Sequence, residues 1–179
     1  MNLLVMEDFS DLELHTSLYI TLRRVIKADS EFLETLFLSA RPHLQALPLP
    51  SISKAILIKQ QWLMKEASFA KQWPSYSSWV ICSDARPIGV ISIDVNKTSF
   101  HILEVCIDPE FQGQGVGTSI INALKLKAET CGLAISLSVD KNNIAALCWY
   151  KKGEFIVCGE TSTHLSLLWN SESIKNSVV

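Results

Sequence analysis

Three glycines in five residues, Gly113, Gly115 and Gly117, lie in the run Gln112-Gly113-Gln114-Gly115-Val116-Gly117, after an apolar stretch ending at Ile107 and before a helical stripe. Without Cβ atoms a backbone can approach an anion closely, and the unpaired N–H groups of a first helical turn point toward it. The chemistry this spacing suits is the binding of a diphosphate. A Walker loop is excluded, because its longer spacing and its Lys-Ser/Thr are absent. The dinucleotide fingerprint fails because Thr118 stands where its third glycine belongs. The competing reading is a tight strand-to-helix turn that holds no ligand.

The neighbours favour the ligand. A strand ending Val105-Cys106-Ile107 runs into Asp108-Pro109 and then Gln112-x-x-Gly115-x-Gly117, and Asn143-x-x-Ala146-x-x-x-Tyr150 follows downstream. Together, over roughly residues 20–169, these patterns resemble the GNAT superfamily of acyl-CoA-dependent N-acyltransferases. The resemblance implies an N-acetyltransferase that moves an acetyl group from acetyl-CoA to a primary amine by direct attack in a ternary complex, with no metal. It implies that the amides of Gln112, Gly113, Gln114, Gly115, Val116, Gly117 and Thr118 hold the pyrophosphate. The backbone N–H of Val105 or Ile107 would bond the thioester oxygen, as a preorganised dipole aimed at developing charge. Asn143 would reach the pantetheine arm or an inter-strand carbonyl. Tyr150 matches the position that protonates the departing thiolate, although a helical Tyr between Trp149 and Phe155 also suits a core. The family usually continues Tyr-x-x-x-Gly-Phe, whereas this chain reads Tyr150-Lys151-Lys152-Gly153-Glu154-Phe155, so the turn before Phe155 is redrawn.

For the general base, Glu104 interrupts an otherwise apolar strand and is either that base or the polar face of a half-exposed strand. His101 has the other parity on the same strand and titrates near neutrality, although a lone strand-end His is more often surface. Some family members carry a Glu where Ser138 stands here, and a serine is no comparable base, which leaves a water relay as the alternative. Cys106 and Cys148 have no basic neighbour in sequence to generate a thiolate, so both read as structural thiols. Trp62, Trp73, Tyr76 and Trp79 are candidates for an acceptor pocket wall, with Trp79 reading rather as core.

The elements that must position these residues form a mixed α/β order. A strand over 19–26 leads to a helix N-capped by Asp29, and Pro42, Pro48 and Pro50 break that helix before another starts near Ser51 or Ser53 as a lid or side wall. Strands over 78–82 and 87–94 join through the turn Ser83-Asp84-Ala85-Arg86, and a third follows over 101–107. A helix from about Gly115 to Cys131 closes at Gly132, then come a strand over 134–139, a helix over about 143–151, and strands near 155–158 and 163–169. The expected fold is α/β (α+β mixed), with a mixed, mostly antiparallel sheet of about seven strands flanked by helices on both faces. One domain over 19–170 is expected, between an N-terminal extension 1–18 and a tail 171–179.

Of the 179 residues 48% are hydrophobic and 19% charged, which suits a globular domain. A net charge of -2, from 16 basic and 18 acidic side chains, gives no general pull toward nucleic acid or membrane. The odd set Cys82, Cys106, Cys131, Cys148 and Cys158 lacks Cys-x-x-Cys spacing and fits buried thiols in a reducing cytoplasm. The opening residues lack the basic start and long apolar run of a signal peptide, so the chain reads as soluble and unexported. The expected partner is a small-molecule or peptide amine, with a homodimer as one mode of assembly. The rival readings are a non-catalytic acyl-CoA-binding regulatory module and a nucleotide-binding protein.

Overall fold

A computed structural model describes residues 19–171, so the extension 1–18 and the tail beyond Ser171 lie outside the described residues. The elements are β1 (Ile20–Arg24), α1 (Ser30–Ser39), α2 (Pro42–Gln45), α3 (Ser51–Gln72), β2 (Ser77–Ser83), β3 (Arg86–Val95), β4 (Ser99–Ile107), α4 (Val116–Cys131), β5 (Ala134–Asp140), α5 (Ile144–Lys152), β6 (Ile156–Glu160) and β7 (His164–Trp169). The strands form one open seven-stranded sheet in the order β1-β2-β3-β4-β5-β7-β6, antiparallel throughout except between β4 and β5.

Helices cover both faces. Phe100 and Ile102 of β4 are buried with Ile120 and Leu124 of α4 in the main core. On the other face, Glu104 and Cys106 meet α3 and α1, through Lys65 and the Leu36 carbonyl. A satellite cluster of Phe37, Leu44 and Ile58, with Trp62 against it, ties α1, α2 and α3 together above that face. On α3, Ile56 and Leu63 are exposed while Ile58 is buried, because the helix packs on α1 and α2 rather than flat on the sheet.

The first helix ends before Pro42 and the long one starts at Ser51, as expected; in addition, Pro42 occupies the first turn of the short α2, and Pro50 immediately precedes α3. Both are places where a missing N–H costs a helix nothing. Asp29 does not cap α1 with its side chain. Its carboxylate instead accepts two bonds from Arg23, at 2.7 and 2.8 Å, and one from the Ile26 N–H at 2.8 Å. The Arg23 bond, foremost, holds this buried carboxyl below its ordinary pKa.

The hairpin turn behaves as expected, with Asp84 and Ala85 both at positive φ, 46° and 68°, the form that matches strand twist. The more consequential irregularity is in β4. Ser92 pairs with Glu104 but Ile93 pairs with Ile102, which leaves Leu103 as an extra residue, a β-bulge. The bulge reverses the alternation of side chains. His101 and Glu104, expected on opposite sides of the strand, both face α3 and its end: His101 stacks on Trp73 at 5.5 Å and Glu104 bonds to Lys65.

Candidate active site

The parallel pairing of β4 with β5 lasts only from Ser99 opposite Ala134 to Ile102 opposite Leu137. Past that point the strands part, and the edge of β4 over residues 103–107 has no strand beside it. Two cavities open at the gap. One, of about 640 Å³, is lined by Val105 and Ile107, by Phe111 to Gly113 and Gly115 to Thr118, and by Asn143, Ala145, Ala146, Trp149 and Tyr150 of α5 and its cap. The other, of about 320 Å³, is lined by Arg41, Lys65, Phe69, Glu104, Ser138, Asp140 and others, and shares Val105, Asn143, Ala146 and Tyr150 with the first.

The glycine loop forms one wall of the larger cavity. Gly113 and Gly115 sit at φ 72° and 85°, the left-handed region that costs other residues, and a Cβ at either would have nothing within 4 Å. That leaves an open cradle above the first turn of α4, whose Val116, Gly117 and Thr118 lie at its N-terminal end, suited to an anion by charge and by free N–H groups. Gly117 serves differently. A Cβ there would come within 3.1 Å of the Trp149 ring and 3.2 Å of Ile107, so its small size lets α5 pack onto α4. Two glutamines brace the loop: Gln112 Nε2 donates to the Ile107 carbonyl at 2.8 Å, and Gln114 Nε2 to the Glu110 carbonyl at 2.7 Å. Gln114 is the one cofactor candidate that does not line the cavity.

Asn143 caps α5, its Oδ1 accepting from the Ala146 N–H at 3.1 Å, which leaves its NH₂ group beside both cavities. Tyr150 is buried against Trp149 and Phe155, with ring centroids 4.7 and 5.2 Å away, and desolvation pushes its phenol up to about 12. Its hydroxyl has no hydrogen-bond partner among the described residues. The Tyr150 ring is packed as a core residue is, and the residue also lines both cavities. The redrawn turn places Glu154 at φ 60°, and Phe155 is still buried, its N–H bonded to the Tyr150 carbonyl at 3.1 Å.

Glu104 lines the smaller cavity and is not on a solvated face: its side chain is 15% exposed and its Oε2 lies 2.6 Å from Lys65 Nζ. Lys65 also reaches Glu66 at 3.0 Å. His101 lies away from this junction, bonded to Ser136 Oγ at 2.9 Å, and burial lowers its pKa. Cys106 is half-buried, and burial pushes its thiol up to about 11, the opposite of an activated nucleophile. Cys148 and Cys158 are exposed, against the expectation of burial. Trp62, Trp73 and Tyr76 line neither cavity, and Trp79 is core. The side wall that α3 provides is instead made by Lys65 and Phe69, joined by Arg41. Neither cation stood out in sequence, since only helix packing brings them to the sheet.

A model of the Acetyltransferase (GNAT) family matches residues 43–155, more than half of the chain and spanning the glycine loop and α5. The chain belongs to the GNAT family. An uncharacterised N-acetyltransferase of Methanocaldococcus jannaschii is 26% identical over 141 residues, 74% of this chain and 58% of that protein. The chain thus spans little more than half the length of that curated relative. Among solved structures, this GNAT protein resembles PaiA N-acetyltransferase from Thermoplasma acidophilum in complex with coenzyme A, with a TM-score of 0.64 at 18% identity, covering 86% of this chain and 99% of that one. It also resembles apo RimL, a ribosomal-protein alpha-N-acetyltransferase, with a TM-score of 0.62 at 16% identity, covering 88% and 93%. At these identities the likeness is one of fold. Among the described residues of this GNAT chain, no helix is long and apolar enough to cross a membrane.

Proposed function

We propose that this chain is an acetyl-CoA-dependent N-acetyltransferase acting on a primary amine, carried by one domain over 19–170 and working in the cytoplasm, where its free thiols stay reduced. The observation that carries this reading is the junction at Val105, Asn143, Ala146 and Tyr150, where a cavity walled by an anion cradle meets a second cavity through the gap between β4 and β5. Two reactants entering from the two sides would meet there.

Acetyl-CoA supplies the thioester when bound. The amides of the glycine loop and of the first turn of α4, from Gln112 to Thr118, hold its pyrophosphate. Asn143 offers its NH₂ group to the pantetheine. The unpaired edge of β4 at Val105 and Ile107 presents backbone N–H groups to the carbonyl oxygen, where they gain most as negative charge develops. Glu104, directly or through a water, takes the proton that the amine loses as its nitrogen bonds to the carbonyl carbon. Tyr150 gives its phenolic proton to the sulfur as the C–S bond breaks, and recovers one from solvent. A phenol held up near 12 stays protonated at neutral pH, as this role requires.

Thermal shift and calorimetry with acetyl-CoA, CoA, ATP and NAD test the reading, because a ligand that binds only the folded state raises its melting temperature. Stabilisation by acetyl-CoA and CoA, followed by acetylation within an amine panel, is expected. A response to ATP or NAD alone would overturn it. Binding of acetyl-CoA with no transfer to any amine would favour a regulatory module.

A further inference from the structure

The smaller cavity contains a cation that the transfer step leaves unused. Arg41 stands between α1 and α2, with its guanidinium 3.7 Å above the Phe37 ring and Nη1 donating to the Phe37 carbonyl at 3.0 Å. Among the described residues that carbonyl is its hydrogen-bond acceptor, and no carboxylate lies within ion-pair distance of it. Glu104, whose charge reaches it through space, is already bonded to Lys65. Lys65 in turn is balanced by both Glu104 and Glu66. Among the described residues the guanidinium is thus the cation of the cavity that lacks an ion pair, partly desolvated and with most of its fork of N–H donors unoccupied, while Asp140 of the same lining accepts from the Asn142 N–H.

The amine of any acceptor must reach the junction at Val105 and Tyr150, so the remainder of the acceptor lies in the cavity that Arg41 lines. A polyamine would bring further positive charge to Arg41, with Asp140 the carboxylate of the lining that Lys65 does not already hold. An acceptor with an oxyanion would satisfy Arg41. We propose that the acceptor is a small amine that also carries an anionic group, a carboxylate or a phosphate, which Arg41 binds. This rests on the acyl-transfer reading above.

The test uses the full chain, acetyl-CoA, and matched pairs of amines that differ only in the anion: amino acids against their amides, and amino sugar phosphates against amino sugars, with spermidine as the polycation. The anionic member of at least one pair is expected to win by about tenfold or more in kcat/KM, as charge-assisted bonds to a guanidinium imply. Which pair shows the preference tells carboxylate from phosphate. Arg41→Met should remove it by raising KM for the anionic amine toward that for the uncharged member, leaving KM for acetyl-CoA within about twofold. Equal use of the paired members, a preference for spermidine, or a preference that survives Arg41→Met would each overturn the proposal. The wild-type pairs decide the matter even where the variant does not fold. If no amine is acetylated, the acyl-transfer reading fails, and calorimetry of the same pairs judges the anion site alone: weaker binding of the uncharged members supports it, and equal binding overturns it.

Discussion

Lys65 Nζ lies 2.6 Å from Glu104 Oε2, joining the middle of α3 to the bulged stretch of β4 with both side chains largely covered, 16% and 15% exposed. The bond spans the small cavity of about 40 Å³ between helix and sheet, where Glu66, Ser78, Ser92 and Cys106 also converge. It holds the side wall of the cavity proposed for the acceptor in register with the strand that carries the proposed chemistry.

This pair should be energetically coupled. A double-mutant cycle with Lys65→Met and Glu104→Gln, read by chemical denaturation, is expected to give a coupling of about 1–3 kcal/mol, above the range of exposed pairs. A value under about 0.5 kcal/mol would mean that the contact is incidental.

Gly115→Ala should separate ligand binding from folding. The new Cβ meets nothing within 4 Å, so the fold should survive, but φ 85° strains an alanine by about 1–2 kcal/mol. The methyl group would stand in the cradle proposed for the pyrophosphate. Calorimetry should show CoA affinity lowered by about tenfold or more beside a circular dichroism spectrum like that of the wild type. Undiminished affinity would remove the loop from the site.

Tyr150→Phe should lower kcat by about 10- to 100-fold while leaving KM for acetyl-CoA nearly unchanged, because a general acid acts in the transition state. The hydroxyl has no hydrogen-bond partner among the described residues, so stability at pH 7 should change little. Turnover equal to wild type would take Tyr150 out of the mechanism.

Alkaline pH should destabilise the fold in steps assignable to named groups. Burial pushes Tyr76 and Tyr150 up to about 12 and Cys106 up to about 11. Each folded pKa is raised, so the folded chain binds the proton more tightly than the unfolded chain. That stability is fully present below the ordinary values of 9.0 and 10.0 and is lost as pH rises through 11 and 12. Denaturation at intervals from pH 8 to 12 should show the decline, and Tyr150→Phe should make it shallower between about pH 10 and 12. An unchanged slope in that variant would contradict the assignment.

Glu154→Gly is expected to stabilise. Glu154 sits at φ 60° after α5, where the neighbouring Gly153 does not, and its ion pair at 3.4 Å joins an exposed carboxylate to the largely covered Lys125, whose Nζ also donates to the Gly153 carbonyl at 2.7 Å. Relieving the left-handed strain should outweigh that contact and the added chain entropy, for a net gain of about 0.5–1 kcal/mol. A lower melting temperature in the variant would show that the turn tolerates Glu154 without strain.

Much of the fold, and the bringing together of the residues proposed for the cofactor, was legible because its signals are local. The glycine loop, the helix that begins at about Asn143 and the apolar stripe of α4 are each read within one or two turns of chain, and each lies where its spacing indicates. What escaped depends on partners distant in sequence. Leu103 carries no mark of a bulge; only its pairing with β3 makes it the extra residue, and with it the alternation that set His101 against Glu104 fails. Arg41 and Lys65 look like ordinary helix-surface cations until the satellite cluster around Phe37 folds them over the sheet. Trp73 and Tyr76 drew notice by residue type alone, and type does not reveal that one stacks on His101 while the other bonds to Glu66.

The parting of β4 from β5 after Ile102 and Leu137 has a kinetic consequence. The cavities on its two sides have largely separate walls and share four residues. Under the proposed reading each reactant would have its own door, neither would have to arrive first, and a single inhibitor threaded through the gap, with a pantetheine arm at one end and an anionic amine at the other, would occupy both doors at once.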